Sequence, residues 1–142
     1  MKTIHTKVAS FSYNQSERLL YMTILEGAEI ELENAIENYE AAQSLTGPTK
    51  HLLLVDANSN VYISKEARAY SAELKANSPI AMAVVVSSTA NRLIGNFYIN
   101  FNKPKVPTKL FSSDEKAIEW LKGFLYLTEL DHVPSKKPNN KN

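Results

Sequence analysis

The sequence predicts an α/β domain built on a mixed sheet, and two oily runs carry that reading. The first, Leu52-Leu53-Leu54-Val55, stops at Asp56 and holds no charge. The second, Ile80-Ala81-Met82-Ala83-Val84-Val85-Val86, is apolar throughout. A half-wet strand alternates apolar and polar side chains, whereas a short unbroken apolar run fits a strand buried on both faces. Gly47-Pro48-Thr49 before the first run and Asn58-Ser59-Asn60 after it mark its limits. A third observation joins these two: segments of helical period stand between and behind the runs, as crossovers between parallel strands require.

Composition bounds the class. A chain of 142 residues is expected to form one domain over residues 1–132, followed by a disordered polar tail over 133–142. The hydrophobic share of 44% and charged share of 22% are ordinary globular values. A formal net charge of +1 provides no field for nucleic acid or an anionic membrane. The absence of cysteine removes disulfides, thiolate metal sites and a Cys nucleophile together. The start, Met1-Lys2-Thr3-Ile4-His5-Thr6-Lys7, is polar, and no stretch reaches the roughly 18 apolar residues of a membrane helix. The expectation is a cytoplasmic protein with no membrane insertion.

Taken in order, Val8 to Tyr13 alternates and reads as an edge strand. Asn14-Gln15-Ser16-Glu17 is a turn, and Arg18 to Leu25 is a second strand, so the two make an antiparallel hairpin. Glu29-Ile30-Glu31 adds a few extended residues. Leu32, Ala35, Ile36, Tyr39, Ala42 and Leu45 then recur at helical steps, with Gly47 and Pro48 as the stop. After the first oily strand, Val61-Tyr62-Ile63 leads to Ser64, an N-cap for a helix through Leu74 that ends before Asn77-Ser78-Pro79. Asn91 to Phe101 fits both periods. A helix is preferred there, because the chain must return between parallel strands. Asn102 to Pro107 is a loop and Lys109-Leu110-Phe111 a last short strand. Ser112 with Glu115 forms a capping-box pattern for a helix whose stripe is Ala117, Ile118, Trp120, Leu121, Phe124 and Leu125. The order is ββαβαβαβα, with about four helices.

Several words in that order carry a family resemblance. They are Leu54-Val55-Asp56, Ser64-Lys65-Glu66-Ala67-Arg68, Leu93-Ile94-Gly95-Asn96-Phe97-Tyr98, Asn102-Lys103-Pro104, Val106 to Phe111, and Glu115, Ala117 and Glu119-Trp120-Leu121. Over most of Glu29 to Phe124 the chain resembles the SpoIIAA-like (STAS-like) fold. More narrowly it is similar to small uncharacterised bacterial STAS/SEC14-like proteins of the Bacteroidetes type. The resemblance implies a regulatory protein–protein interaction domain. Anti-sigma-factor antagonists of that fold carry an Asp-Ser pair, with a phosphorylated serine, at the start of the helix after the central strand. Here Ser64 stands near the Asp position, and Lys65 or Glu66 near the serine, so the phospho-acceptor is not reproduced residue for residue.

The candidate sites follow from position and charge. Asp56, Asn58, Ser64, Lys65, Glu66 and Arg68 fall at the C-terminal side of the central strand, where open α/β sheets place their sites. Either they form a recognition edge, or Ser64 is only a cap and the charges a solvated helix face. Arg92, Lys103, Lys105 and Lys109 run without an intervening acid, and Glu26 to Glu40 without a base. These are two solvated surfaces, or a dipolar pair that meets a partner or a second copy. Phe97, Tyr98 and Phe101 line an apolar ligand pocket, form a contact patch, or sit in the core. His5, His51 and His132 have no metal-ligand spacing, and neither a Gly-x-Ser-x-Gly elbow nor a Gly-rich phosphate loop occurs. The expectation is a non-enzymatic domain, with no cofactor, that docks a protein partner through the helix after the central strand. A small lipid- or metabolite-binding module is the alternative.

Overall fold

The computed structural model describes residues 2–129. The tail from residue 133 and the boundary placed at 132 lie outside the described residues. Strands β1 (Thr3–His5), β2 (Ala9–Asn14) and β3 (Leu19–Ile24) form an antiparallel meander. A short β4 (Ala28–Ile30) leads into α1 (Leu32–Thr46), and β5 (Leu52–Asp56) follows. Next come β6 (Val61–Ile63), α2 (Lys65–Ala72), β7 (Met82–Val85) and α3 (Thr89–Phe97), the last running into a π-helical turn at Tyr98–Asn102. The described chain ends with β8 (Thr108–Phe111), α4 (Asp114–Lys122) and α5 (Leu125–Glu129). The main sheet has the order β1-β2-β3-β5-β7-β8, and from β3 onward its pairs are parallel. β4 and β6 pair in parallel as a separate two-stranded sheet.

The two oily runs lie side by side as β5 and β7, with Leu54 opposite Ala83 and Val55 opposite Val84. Because side chains alternate along a strand, each run serves two cores. Leu52, Leu54, Ala83 and Val85 face α4, packing with Ala117 and Leu121. All six are at most 4% exposed. Phe111, Trp120 and Phe124 extend that layer through ring contacts with centroids 5.6 and 4.9 Å apart. The opposite face carries Leu53, Val55, Met82, Val84 and Leu110 beneath α1, α2 and α3. There Leu53, Met82 and Val84 are only half-buried, although they sit in the inner strands β5 and β7, as is Leu110 on the edge strand β8.

Contacts explain the difference. α4 lies over β7 and reaches β5 and β8 on either side of it, with small Ala83 and Ala117 packed at the contact. On the other side α1 holds β2 and α3 holds β8. The grip on β8 is tight at Gly95, where a Cβ would fall 2.9 Å from a Leu110 methyl. α1 and α2 pack against each other across the span between these anchors.

Local chemistry sets the limits of the elements, and it departs from the sequence expectation in several places. The strand from Val8 is not at the edge, because polar Thr3–His5 pairs outside it (short, polar strands suit an exposed edge). The capping serine of α4 is Ser113, whose Oγ accepts from Lys116 N at 3.3 Å, rather than Ser112. Ser113 is the residue in extended conformation just before acidic Asp114 and Glu115. The last helix does not run through to Leu125. At Gly123 and Phe124 the backbone tightens to i→i−3 bonds, and α5 starts anew. α2 stops at Ala72, since Glu73 is already extended. Leu32 is 39% exposed, while Asn34 and Asn38 take buried places on α1. Asn34 Oδ1 accepts from Glu31 N at 2.9 Å, and Asn38 Oδ1 from the Thr6 hydroxyl at 2.8 Å. The helical alternative for Asn91 to Phe101 holds, and Gly47 ends α1 at φ +61°.

Unequal packing gives a direct expectation. Leu54→Ala, on the sealed face, should cost about 2–5 kcal/mol in urea unfolding. Leu53→Ala, its neighbour on the half-open face, should cost about half as much or less, because less close packing is lost there. Equal losses would mean that both faces are packed alike.

Candidate functional site

The half-open face encloses a cavity of about 250 Å³. Its floor is the sheet at Leu53, Val55, Met82, Val84 and Leu110. Tyr39 and Ala42 of α1 form one wall, and Arg68 and Tyr70 of α2 another. Ile94 and Gly95 of α3, with Tyr98 and Ile99 of the π turn, complete the enclosure. Ser71, Glu73 and Lys105 line the cavity and are also exposed, so the mouth lies between the end of α2 and the loop behind the π turn. That loop is tied to α2 by Lys105 N donating to Ala72 O at 3.0 Å.

Polar residues interrupt the apolar lining, among them Asn91, His51, Arg68 and Tyr98. Asn91 is buried and donates through Nδ2 to the carbonyls of Ala57 and Ser59, both at 2.8 Å, pinning α3 to the end of β5. His51 is 2% exposed, its Nδ1 3.1 Å from Thr49 O and its ring edge-on to Tyr13. The carbonyl places the imidazole proton on Nδ1. Burial holds its pKa below the ordinary 6.5. Arg68 donates through Nη1 to Ile63 O at 2.7 Å and lies 5.2 Å over the Phe97 ring, while its Nε is buried without a hydrogen bond. The Tyr98 hydroxyl is likewise buried and unpartnered, and burial pushes its pKa up to about 12.

The structure distributes the sequence candidates over three places. Arg68, Tyr98 and Lys105 come together at the cavity. Asp56 and Asn58 close a local turn, Oδ1 accepting from Asn58 N at 3.1 Å and Nδ2 at 2.9 Å. Ser64 is 4% exposed and its Oγ accepts from Ala67 N at 3.1 Å, while Lys65 and Glu66 are exposed on the first turn of α2. Arg92 donates to Val86 O at 3.2 Å at the start of α3. Lys103 is exposed at φ +51° after the π turn. Lys109 lies 5.5 Å over the Phe111 ring, on the α4 side of the sheet, so the four cations form no single patch with the aromatics. Phe97 and Phe101 stack at 4.9 Å and are 46% and 68% exposed, whereas Tyr98 turns inward. Sequence reasoning missed Asn91, Tyr39 and Met82 as site residues. Asn91 had one local signal, the Ser88-x-x-Asn91 cap, in which Ser88 Oγ accepts from Asn91 N at 3.1 Å.

No three His, Asp or Glu side chains gather as metal ligands among the described residues, and no described helix is long and apolar enough to cross a membrane.

The family model described as a domain of unknown function (DUF7793) matches residues 13–125. No curated protein matches the chain. Among solved structures, it is similar to an uncharacterised DUF3478-family protein with a SpoIIAA-like fold from Shewanella loihica PV-4. That likeness has a TM-score of 0.52 at 13% identity, over 85% of this chain and 98% of the other. The fold here is therefore SpoIIAA-like, as the sequence led us to expect. A protein of unknown function from Arthrobacter sp. FB24 is 28% identical over 78% of this chain and 96% of its own, with a TM-score of 0.32.

Two measurements check the electrostatics and the cap. Between the lowered His51 value and 6.5 the unfolded chain binds a proton that the folded protein refuses. Stability should therefore fall as pH drops below about 6.5, and thermal melts of His51→Gln should show a shallower fall. Ser64→Ala should lose about 1 kcal/mol in urea unfolding, the typical worth of an N-cap.

Proposed function

The chain belongs to the DUF7793 family and has a SpoIIAA-like fold, and on that scaffold we propose that it is a non-catalytic module holding a small apolar ligand between the sheet and its three-helix cover. The observation that carries this reading is the exposure of Leu53, Met82 and Val84 to about 250 Å³ of space in the middle of the sheet. Unfilled apolar space confined to one face of a sheet whose other face is closely packed supports a binding role. The volume is just under the roughly 300 Å³ at which drug-sized sites begin, which favours a small occupant.

The polar groups support binding over chemistry. The Ser64 hydroxyl is engaged in capping, and His51 meets a backbone carbonyl. Docking of a protein partner on the α2 edge has less behind it. Ser64 is buried there and Arg68 is folded over Phe97 into the cavity wall.

Titration with octan-1-ol tests the reading through methyl NMR. Shifts should concentrate at Leu53, Met82 and Val84, while Leu54 and Val85 behind the sheet stay still. Ala42→Phe should fill the wall and remove the response with little loss of stability. An absence of saturable shifts up to millimolar octanol would count against a ligand site.

A further inference from the structure

Outside the cavity, one strip of the surface carries large apolar side chains in a row. Leu93, Phe97 and Phe101 follow at four-residue steps along α3 and the π turn, a spacing that keeps side chains on one helix face. The row continues through the π turn, because the Phe97 and Phe101 rings stack. All three residues are exposed, Leu93 at 65%. A contiguous exposed apolar strip marks an interaction surface. Its far end is cationic. Lys103 is exposed and donates through its backbone N to Tyr98 O at 3.2 Å, and exposed Lys105 follows two residues on. The formal net charge of +1 conceals an uneven distribution, since residues 74–113 hold five Lys or Arg and no Asp or Glu. Lys109 lies on the other side of the sheet, Arg92 is turned to the Val86 carbonyl, and α2 sets Glu66 and Glu73 against Lys65 and Arg68. The unbalanced charge beside the row is therefore that of Lys103 and Lys105.

We propose that this row docks on an anionic lipid bilayer, with Leu93, Phe97 and Phe101 entering the headgroup–acyl boundary and Lys103 and Lys105 meeting lipid phosphates. Phe and Leu on one face with lysines at its border are the chemistry of interfacial binding, and each lysine near a negative surface adds attraction. No described helix is long and apolar enough to cross a membrane, so the contact is peripheral. Charge argues against a second copy as the occupant. Two copies packed through the same row would bring Lys103 and Lys105 against like charges, with no acid in the row to pair them. A single-stranded nucleic acid needs open ring faces, whereas Phe97 is already stacked on Phe101 and covered by the Arg68 guanidinium. Lys105 also lines the cavity mouth, so docking sets that opening toward the bilayer, but the docking does not depend on the cavity being filled.

Vesicle co-sedimentation of the full chain tests the proposal. Phosphatidylcholine vesicles with about 30% phosphatidylglycerol should bind about tenfold or more tighter than phosphatidylcholine alone, with most of that gain lost in about 0.5 M salt. Phe101→Ser should weaken binding about tenfold, and Lys103→Ala with Lys105→Ala about thirtyfold. Tyr126→Ser removes an exposed ring from α5, behind the sheet, and should change it less than about twofold. If Phe101→Ser lowers the urea midpoint, Leu93→Ser takes its place. The chain has no cysteine, so a polarity-sensitive dye on Phe101→Cys reports one position. Its emission should shift to the blue on these vesicles, while the dye on Tyr126→Cys stays unchanged. Binding to neither vesicle, equal binding to both, or a dye response at Tyr126 alone would overturn the proposal. A dimer or an oligonucleotide complex abolished by Phe101→Ser would overturn it too, by giving the row to that partner.

Discussion

A sheet whose inner strands are oily on both faces needs a cover on both sides, and the rest of this structure follows from how unevenly the two are applied. β5 and β7 offer Leu52, Leu54, Ala83 and Val85 to one side and Leu53, Val55, Met82 and Val84 to the other. On one side α4 lies over β7 and its two neighbours, and Phe124 and Leu125 beyond its end pack against the same layer. On the opposite side three helices share the work but are anchored at the flanks, α1 on β2 and α3 on β8. The cavity lies between that cover and the inner strands of the sheet.

The same arrangement decides which polar groups face inward. A helix bridging a gap turns the side chains of its inner stripe into the gap, whatever their chemistry. That places Arg68 and Tyr98 beside hydrocarbon, while the neighbouring Phe97 and Phe101 stack on the outside. The π turn contributes here, because its wider winding shifts the phase of Tyr98–Asn102 relative to α3. Polarity and exposure are thus inverted along this stretch, with a phenol inside and two phenyl rings outside. The Arg68 guanidinium over Phe97 couples the two sides of the wall.

The fold was largely legible in the sequence, because its strongest signal, an unbroken apolar run between turn residues, depends on burial alone. Leu52–Val55 and Ile80–Val86 both announced strands paired in the interior. What escaped was small or polar. β1 and β6 are three residues each, too short for any period to register, and β1 is made of Thr, Ile and His, whereas the equally short β4 is legible as the extended residues Glu29-Ile30-Glu31. The site was legible only in part. Arg68, Lys105 and Tyr98 were named, but within sets whose other members lie elsewhere. Proximity in sequence joined Lys109 to Lys105, whereas alternation on β8 sends Lys109 to the far side of the sheet. Nothing in the local sequence could reveal the half-burial of Leu53, Met82 and Val84, since it arises from the spacing of helices that contact the flanking strands.

Asn91 gives the α3 cover a particular character. Its amide holds two carbonyls at the end of β5, and Arg92 beside it holds the Val86 carbonyl, so α3 is attached at its start by directional bonds to backbone. Apolar contact lets a helix slide or settle by small amounts as neighbouring volume changes, whereas bonds to fixed carbonyls do not. That end of the vault is therefore held in place by bonds to the sheet's own backbone, like a beam bolted to its support rather than laid upon it.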